Sequence, residues 1–377
     1  MEKSTPNLLR TPLFDLLAPQ ARMTPFAGWE MPLQFSGITA EHQAVRQKCG
    51  VFDVSHMGKF ALHGRQLLHH LQMLVPSNLE RIQPGQGKYT VLLNSQGGII
   101  DDVIFYYQGE DDKQDQHGLM VVNAATKTRD KAWLQGHLES SPVRLQDISA
   151  DRVLLAVQGP RSLEYLQPLL RVNLADLPAF GHTLIQWGNS PVFVARTGYT
   201  GEDGFEVMLD HALGQQLWQS LMAAGAVPCG LGCRDTLRLE AAMALYGQDI
   251  DEDVTPVEAG LDWLIQCDKG DFMGRSHLEK HPPRKRLVAL ELEGRNIARY
   301  GYRVISNGQA VGTITSGTLS PTLGKPIALA YVSPQLAQVG QVLQVEIRSR
   351  LYPAKVVQKP FYRSPQKPKT SKGSAPS

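Results

Sequence analysis

Between residues 89 and 123 the apolar positions come in short bursts of β-branched and aromatic residues rather than at helical spacing. Residues 89–93 and 98–107 flank the turn-forming string NSQGG, which predicts a hairpin; residues 117–123 add a further strand, and 124–136 a helix. Before this region, residues 37–50 (GITAEHQAVRQKCG) carry a helical pattern with Gly50 as its C-cap, and VFDVSHMGKFAL after them predicts strand, turn, strand. After it, DRVLLAVQGPRSLEYLQPLL repeats the order strand, Gly-Pro turn, helix, and reads as a weak duplication of an α+β unit. PVFVARTGYTGEDGFEVML predicts a second tight hairpin. Leu213, Leu217 and Leu221 then recur at helical spacing, and CGLGCRDTLRLEAAMALYG predicts a glycine-rich turn entering a helix that Gly247 ends. From residue 286 the pattern changes to short β-rich segments separated by turn residues, so residues 286–361 are expected to form a small antiparallel barrel or sandwich after the linker HPPRKR. The closing string SPQKPKTSKGSAPS has no apolar content and is expected to be disordered.

Against this pattern, a few polar residues are out of place. Asp101 and Asp102 interrupt the strand 98–107, and by alternation neither face of that strand is wholly polar, so at least one of the two acids should be buried. A carboxylate in an apolar setting costs several kcal/mol unless it is paired, hydrogen-bonded or protonated, which makes it a structural ion-pair partner or a working group. Glu206, between Phe205 and Val207, raises the same question. Arg234 and Arg238, one helical turn apart, are the natural partners for a pair of helix-to-sheet bridges.

Composition narrows the classes. A chain of 377 residues is long enough for two or three domains; its net charge of +2 gives no reason to expect nucleic acid, and no apolar run approaches the roughly 20 residues of a membrane helix. The N-terminus has neither a secretory nor a transit pattern, so a cytoplasmic location is expected. Cys49, Cys229, Cys233 and Cys267 fit no C-x-x-C spacing, and His277 and His281 lack an H-E-x-x-H arrangement, so no metal is expected. The pair His69 and His70 reads as surface with partial packing. GYTGEDG lies between strands and lacks the lysine of a phosphate loop, GLGCRD has Asp235 where a dinucleotide fingerprint needs glycine, and no G-x-S-x-G elbow occurs.

Six strings, FDVSHMG, GGIIDD, TGYTGEDGFE, CGLGCRDTLRLEA, LYGQDIDE and ITSGTLSPTLG, resemble in order and spacing those of the glycine cleavage system T protein family, the aminomethyltransferases, over about residues 5–363. The resemblance implies an α+β fold: a three-domain cloverleaf around a central folate cavity, with a C-terminal antiparallel β-barrel. It places residues 1–60 plus 147–250 in a first folate-binding domain, 61–146 plus 251–283 in a second, 284–363 in the barrel and 364–377 in a disordered tail. It implies Asp101 as the catalytic acid; Glu206 and Arg234 as folate-binding residues; Tyr89, Tyr199 and Asn123 as pocket-lining residues; and Met57 and Arg363 as further positions at the folate site. Met243 stands where some members carry an aromatic. The activity implied is transfer of a one-carbon unit from the aminomethyl-dihydrolipoyl arm of lipoylated H protein to tetrahydrofolate, with release of ammonia. Relatives of this fold that serve iron-sulfur assembly carry a KGCYxGQ-like motif, whereas this chain has RTGYTGEDGFE without cysteine there; a folate-dependent demethylase is the remaining alternative.

Overall fold

The structure is a computed structural model and describes residues 7–365; most of the expected disordered tail, from residue 366 on, lies outside the described residues. The described chain forms two compact units, one from residues 7–56 with 151–237 and 363–365, the other from 57–150 with 238–362.

The first unit is built on a six-stranded sheet, in the order His182–Trp187, Ser190–Ala195, Gly204–Leu209, Val153–Gln158, Gly50–Asp53 and Val227–Pro228. Its pairings are antiparallel except the last, which is parallel. Helices Ser162–Leu170 and His211–Ala223 contribute Leu166, Leu170, Leu217, Trp218 and Leu221 to one core with the strand residues Leu155, Val157, Phe205 and Val207. The Asp210 carboxylate accepts from the Leu213 N–H at 2.9 Å and caps the second helix.

Three local expectations change here. The helix runs Ile38–Gln47 and its cap is Lys48; Gly50 instead opens the strand Gly50–Asp53. Glycine is needed there because a Cβ would lie 2.4 Å from Val45 Cγ2 and 2.8 Å from Cys229 Sγ. The second hairpin is not tight: strands Ser190–Ala195 and Gly204–Leu209 pair antiparallel, but residues 196–203 form an ordered loop between them. Buried and half-buried polar groups hold that loop. Arg196 forks onto Asp203 at 2.9 and 2.7 Å, and Arg46 Nη1 donates to the Thr200 carbonyl at 2.7 Å and to Glu202 at 2.9 Å. Gln158 donates to the Thr197 carbonyl and accepts from the Thr200 hydroxyl, and a Cβ on Gly198 would sit 1.9 Å from its Oε1. The third change concerns the helix starting at Leu231, which stops at Glu240, well before Gly247, where the chain turns through Ala242 at a left-handed φ of 54°.

The second unit has a five-stranded antiparallel sheet in the order Gln86–Leu93, Ile99–Glu110, Gln116–Val122, Gly58–Gly64 and Arg144–Asp147. Leu62, Leu67, Leu71, Phe105, Met120 and Leu134 form a core on it. The strands Arg286–Leu292, Arg303–Ser306, Gln309–Leu319, Pro326–Val332, Val342–Ile347 and Arg350–Val357 close a six-stranded antiparallel barrel, as the β-rich pattern after residue 286 predicts. Val91, Leu93 and Ile99 of the sheet share a buried cluster with Leu287, Ala289, Ile327 and Leu329 of the barrel. No helix among the described residues is long and apolar enough to cross a membrane.

Candidate active site

The expected hairpin carries the first acids. Its ladder pairs Leu92 with Asp101 but Leu93 with Ile99, so Ile100 is an extra, bulged residue immediately before the acids. Strict alternation would put Ile100 on the face of Asp102 and Ile104; the slip puts it in the same apolar cluster as Val103 and Phe105. Asp101 is fully buried and Asp102 half-buried. Asn123, just past the strand Gln116–Val122, supplies their donors. Its backbone N–H donates to Asp101 Oδ2 at 3.0 Å, and its side-chain Nδ2 reaches Asp101 Oδ1 at 2.9 Å and Asp102 Oδ1 at 2.8 Å. The Tyr89 hydroxyl donates to Asp102 Oδ2 at 3.1 Å, and the Tyr89 ring stacks on Trp263 at 6.1 Å.

A third carboxyl, absent from the expected set, joins this group. Asp130 on the helix Lys127–Leu138 is fully buried, neither of its carboxyl oxygens has a hydrogen-bond partner among the described residues, and its charge is felt at Asp101. Burial, and next the Asp130 carboxylate, hold Asp101 well above the usual carboxylate range, against the pull of the Asn123 donors. Burial and the charge of Asp101 push Asp102 up to about 7, and burial pushes Asp130 up to about 6. Asp130 left a readable trace, since it lies one turn before Leu134 and two before Leu138 and so puts an acid on the buried stripe of its helix.

In the first unit, the strand Gly204–Leu209 buries Glu206, and the helix Leu231–Glu240 carries Arg234. The Arg234 guanidinium lies over the Tyr199 ring, 4.8 Å from its centroid, and Tyr199 sits in the pinned loop described above. Glu206 and Arg234 are close enough to perturb each other. Burial raises the Glu206 carboxyl while Arg234 pulls it down, and burial lowers the Arg234 guanidinium while Glu206 opposes it. Yet Arg234 Nη1 is buried with no hydrogen-bond partner. The direct bridge expected between helix and sheet is not formed by this pair.

Arg238 behaves differently and is the tether. It donates to Asp249 at 2.5 Å, to the Met243 carbonyl at 3.2 Å and to Ser316 at 2.8 Å, and both charged partners are almost wholly buried. Of the other expected positions, Met57 is half-buried in the turn between Gly50–Asp53 and Gly58–Gly64, Arg363 is exposed after the last barrel strand, and Met243 is half-buried.

Glu41, Cys229 and Cys233 bring three potential metal-ligand atoms within 4.8 Å of one another. Their chemistry is that of packing. The Glu41 carboxylate already accepts the N–H groups of Phe35, Gly37 and Gly230 at 2.7–3.0 Å, and burial holds the Cys229 thiol far above the range in which a thiolate ligand forms. His277 and His281 stack on each other at 4.0 Å at the end of the helix Arg275–Lys280, with His281 bonded to the His277 carbonyl.

The mixed α and β fold and its closed barrel coincide with known relatives. Residues 15–269 match the GCVT N-terminal domain, and residues 285–363 the glycine cleavage T-protein C-terminal barrel domain. The aminomethyltransferase of Nostoc sp. is 60% identical over 96% of this chain and 97% of its own, and that of Rippkaea orientalis 58% over 96% and 99%. The crystal structure of the glycine cleavage system aminomethyltransferase T from Bartonella henselae superposes with a TM-score of 0.88 at 31% identity, covering 95% of this chain and 99% of that one. The chain belongs to the glycine cleavage T-protein family of aminomethyltransferases.

Proposed function

We propose that this aminomethyltransferase takes the aminomethyl group from the dihydrolipoyl arm of a lipoylated H protein and passes its one-carbon unit to tetrahydrofolate, releasing ammonia and forming 5,10-methylenetetrahydrofolate in the cytoplasm. The observation that carries this reading is the unfilled hydrogen-bonding capacity around Glu206 and Arg234. Buried Glu206 stands beside a guanidinium whose buried Nη1 has no hydrogen-bond partner. Such groups cost stability unless a ligand satisfies them, and a pterin offers the complementary set: amino and ring N–H donors for the acid and acceptors for the planar fork. Tyr199, held under Arg234, adds a flat wall. The reading assigns Asp101 to catalysis; Glu206, Arg234, Tyr89, Tyr199, Asn123, Met57 and Arg363 to the folate site; and retains the domain division 1–60 plus 147–250, 61–146 plus 251–283, and 284–363.

Positioning dominates such a reaction, because orienting the reactants is worth about 7–11 kcal/mol. Asp101, fixed at both oxygens by Asn123, contributes a located proton acceptor or a negative charge beside developing cationic nitrogen. The test is ammonia release from aminomethyl-loaded H protein with and without tetrahydrofolate, in the native chain and in Asp101→Asn. The native chain should release ammonia in a folate-dependent manner, and the variant should lose about 10²- to 10⁴-fold in turnover while still binding folate. Undiminished turnover in Asp101→Asn removes this acid from the mechanism.

A further inference from the structure

The bulge before the two acids has its carbonyls held by side chains from elsewhere in the second unit. In the ladder Leu92 faces Asp101 and Leu93 faces Ile99, so Ile100 has no cross-strand partner and the backbone leading into Asp101 lies outside the regular pairing. Arg129, on the helix Lys127–Leu138, donates through Nη2 to the Ile100 carbonyl. The same Nη2 donates to the Tyr246 hydroxyl at 2.7 Å, and that hydroxyl donates in turn to the Ile99 carbonyl at 3.1 Å. Arg129 Nη1 is anchored on the Glu252 carboxylate, and the Glu252 carbonyl accepts from the Asn94 side chain at 3.2 Å. Tyr246 is fixed by its own turn: the Leu245 N–H donates to Asp249, the partner of Arg238, at 2.9 Å, and the Gly247 N–H donates to the Ile250 carbonyl at 2.8 Å. Asp101 is thus held twice, at its carboxyl by Asn123 and at the backbone before it by Arg129 and Tyr246. A carbonyl outside the ladder leaves its peptide plane free to turn, which would swing the next side chain; donors on a planar fork and a packed ring remove that freedom. Stability alone does not account for the arrangement. Arg129 and Glu252 are 41% and 48% exposed, and a pair so open to water contributes little to the fold.

We propose that Arg129 and Tyr246 are positioning residues for Asp101: the guanidinium and the phenol hydroxyl fix the carbonyls of Ile100 and Ile99, and with them the direction in which Asp101 projects towards the reacting amine. This rests on the reading of Asp101 as the catalytic acid. Neither residue touches the reacting atoms; both act through the backbone of the bulge. The size of the effect follows from the geometry of transfer, in which a misplacement of about 1 Å costs on the order of 10²-fold in rate. The two residues divide the task. Arg129 holds the unpaired carbonyl directly, and Tyr246 holds both the preceding carbonyl and the guanidinium itself, so loss of the arginine frees more of the bulge than loss of the hydroxyl.

The experiment measures kcat, KM for tetrahydrofolate and the thermal midpoint in the full-length native chain and in the Tyr246→Phe, Arg129→Ala, Arg129→Lys and Asp101→Asn variants, with ammonia release from aminomethyl-loaded H protein as the assay. Arg129→Ala is also made in the Asp101→Asn background. Arg129→Ala should lower kcat on the order of 10²-fold, and Tyr246→Phe, which keeps the ring and removes only the hydroxyl, on the order of 10-fold. In both, KM should stay within about twofold and the midpoint within about 3 °C of the native chain, a split that a merely structural tie would reverse. Arg129→Lys keeps the charge without the planar fork and should remain well below native turnover. In the Asp101→Asn background Arg129→Ala should cost less than about twofold more, because the arginine acts through the acid. Native kcat in Tyr246→Phe overturns the proposal, as does native kcat in Arg129→Lys, which would leave only the charge at work. A full further loss from Arg129→Ala in Asp101→Asn overturns it too, by giving the arginine a separate role. If Arg129→Ala does not fold, Tyr246→Phe decides. The two readings fail separately: an inactive Asp101→Asn beside a fully active Tyr246→Phe sinks only the clamp, whereas an active Asp101→Asn sinks the assignment of Asp101 itself.

Discussion

Arg234 and Arg238 stand one turn apart on the same helix, and the sequence offers both as bridges to buried acids, yet they do opposite things. Arg238 has its charge answered by Asp249 and its remaining donors by a carbonyl and a hydroxyl. Asp249 is equally complete, accepting also from the Leu245 N–H at 2.9 Å and the Thr315 hydroxyl at 2.5 Å. Arg234 has an acid nearby, an aromatic ring beneath it and a buried nitrogen with nothing to bond. A saturated buried pair is finished as structure, whereas an unsaturated one stores the capacity to hold something else. Side-chain type and spacing are the same in both cases, so saturation is the property that separates them.

The largest expected effect comes from breaking the finished pair. Asp249→Ala removes the partner of a guanidinium that is 1% exposed, and should destabilise the fold by about 3–5 kcal/mol, the range for an uncompensated buried charge. Urea unfolding at fixed pH measures it. A loss below about 1 kcal/mol, the value of an exposed pair, would mean that Arg238 finds water or another acceptor and that its saturation is not what holds it.

A smaller effect, on binding rather than folding, is expected at the unsaturated pair. Glu206→Ala should weaken tetrahydrofolate by about 1–3 kcal/mol, the range for leaving a hydrogen bond to a charged group unmade, and titration calorimetry would show it. The pH dependence has a definite sign. Burial raises the Glu206 carboxyl, so the ionised acceptor is present above that raised value and is lost as pH falls through it; affinity should therefore decline on acidification sooner than for an ordinary glutamate. Glu206→Gln should flatten that dependence. An unchanged dissociation constant in Glu206→Ala would take this acid out of the ligand site.

Much of this architecture is legible from the chain alone, for reasons tied to range. The barrel strands and the hairpin at residues 86–110 announce themselves through local alternation and turn chemistry. The end of the helix at Glu240 does not, because Ala242 adopts a left-handed turn with no glycine to mark it. Asp101 and Glu206 stand out as acids within apolar strands, and both are buried. What stayed hidden were partners distant in sequence or placed by a loop: Asp249 for Arg238, the meeting of Glu41 with Cys229 and Cys233, and Asp130 beside Asp101. The slip that carries Ile100 out of alternation was equally invisible, since a bulge is a property of the pair of strands and not of either one.

The smallest expected change sharpens the comparison most. If Glu206 and Arg234 exist for a ligand, the fold should not need them, and replacing both with apolar residues of similar volume, Glu206→Leu with Arg234→Met, should leave stability within about 1 kcal/mol of the native chain or raise it, as for other buried pairs exchanged for packed side chains. The Tyr199 ring would keep a packing partner in Met, and neither an unpaired carboxylate nor an orphaned guanidinium nitrogen would remain. The same double exchange at Arg238 and Asp249 should be harmful, because it leaves the Leu245 N–H and the Met243 carbonyl without the partners that the pair supplies. Thermal melts of the two double variants compare the sites directly. Equal destabilisation would show that the Glu206 and Arg234 charges hold the first unit together after all, and would leave the ligand reading without its physical ground.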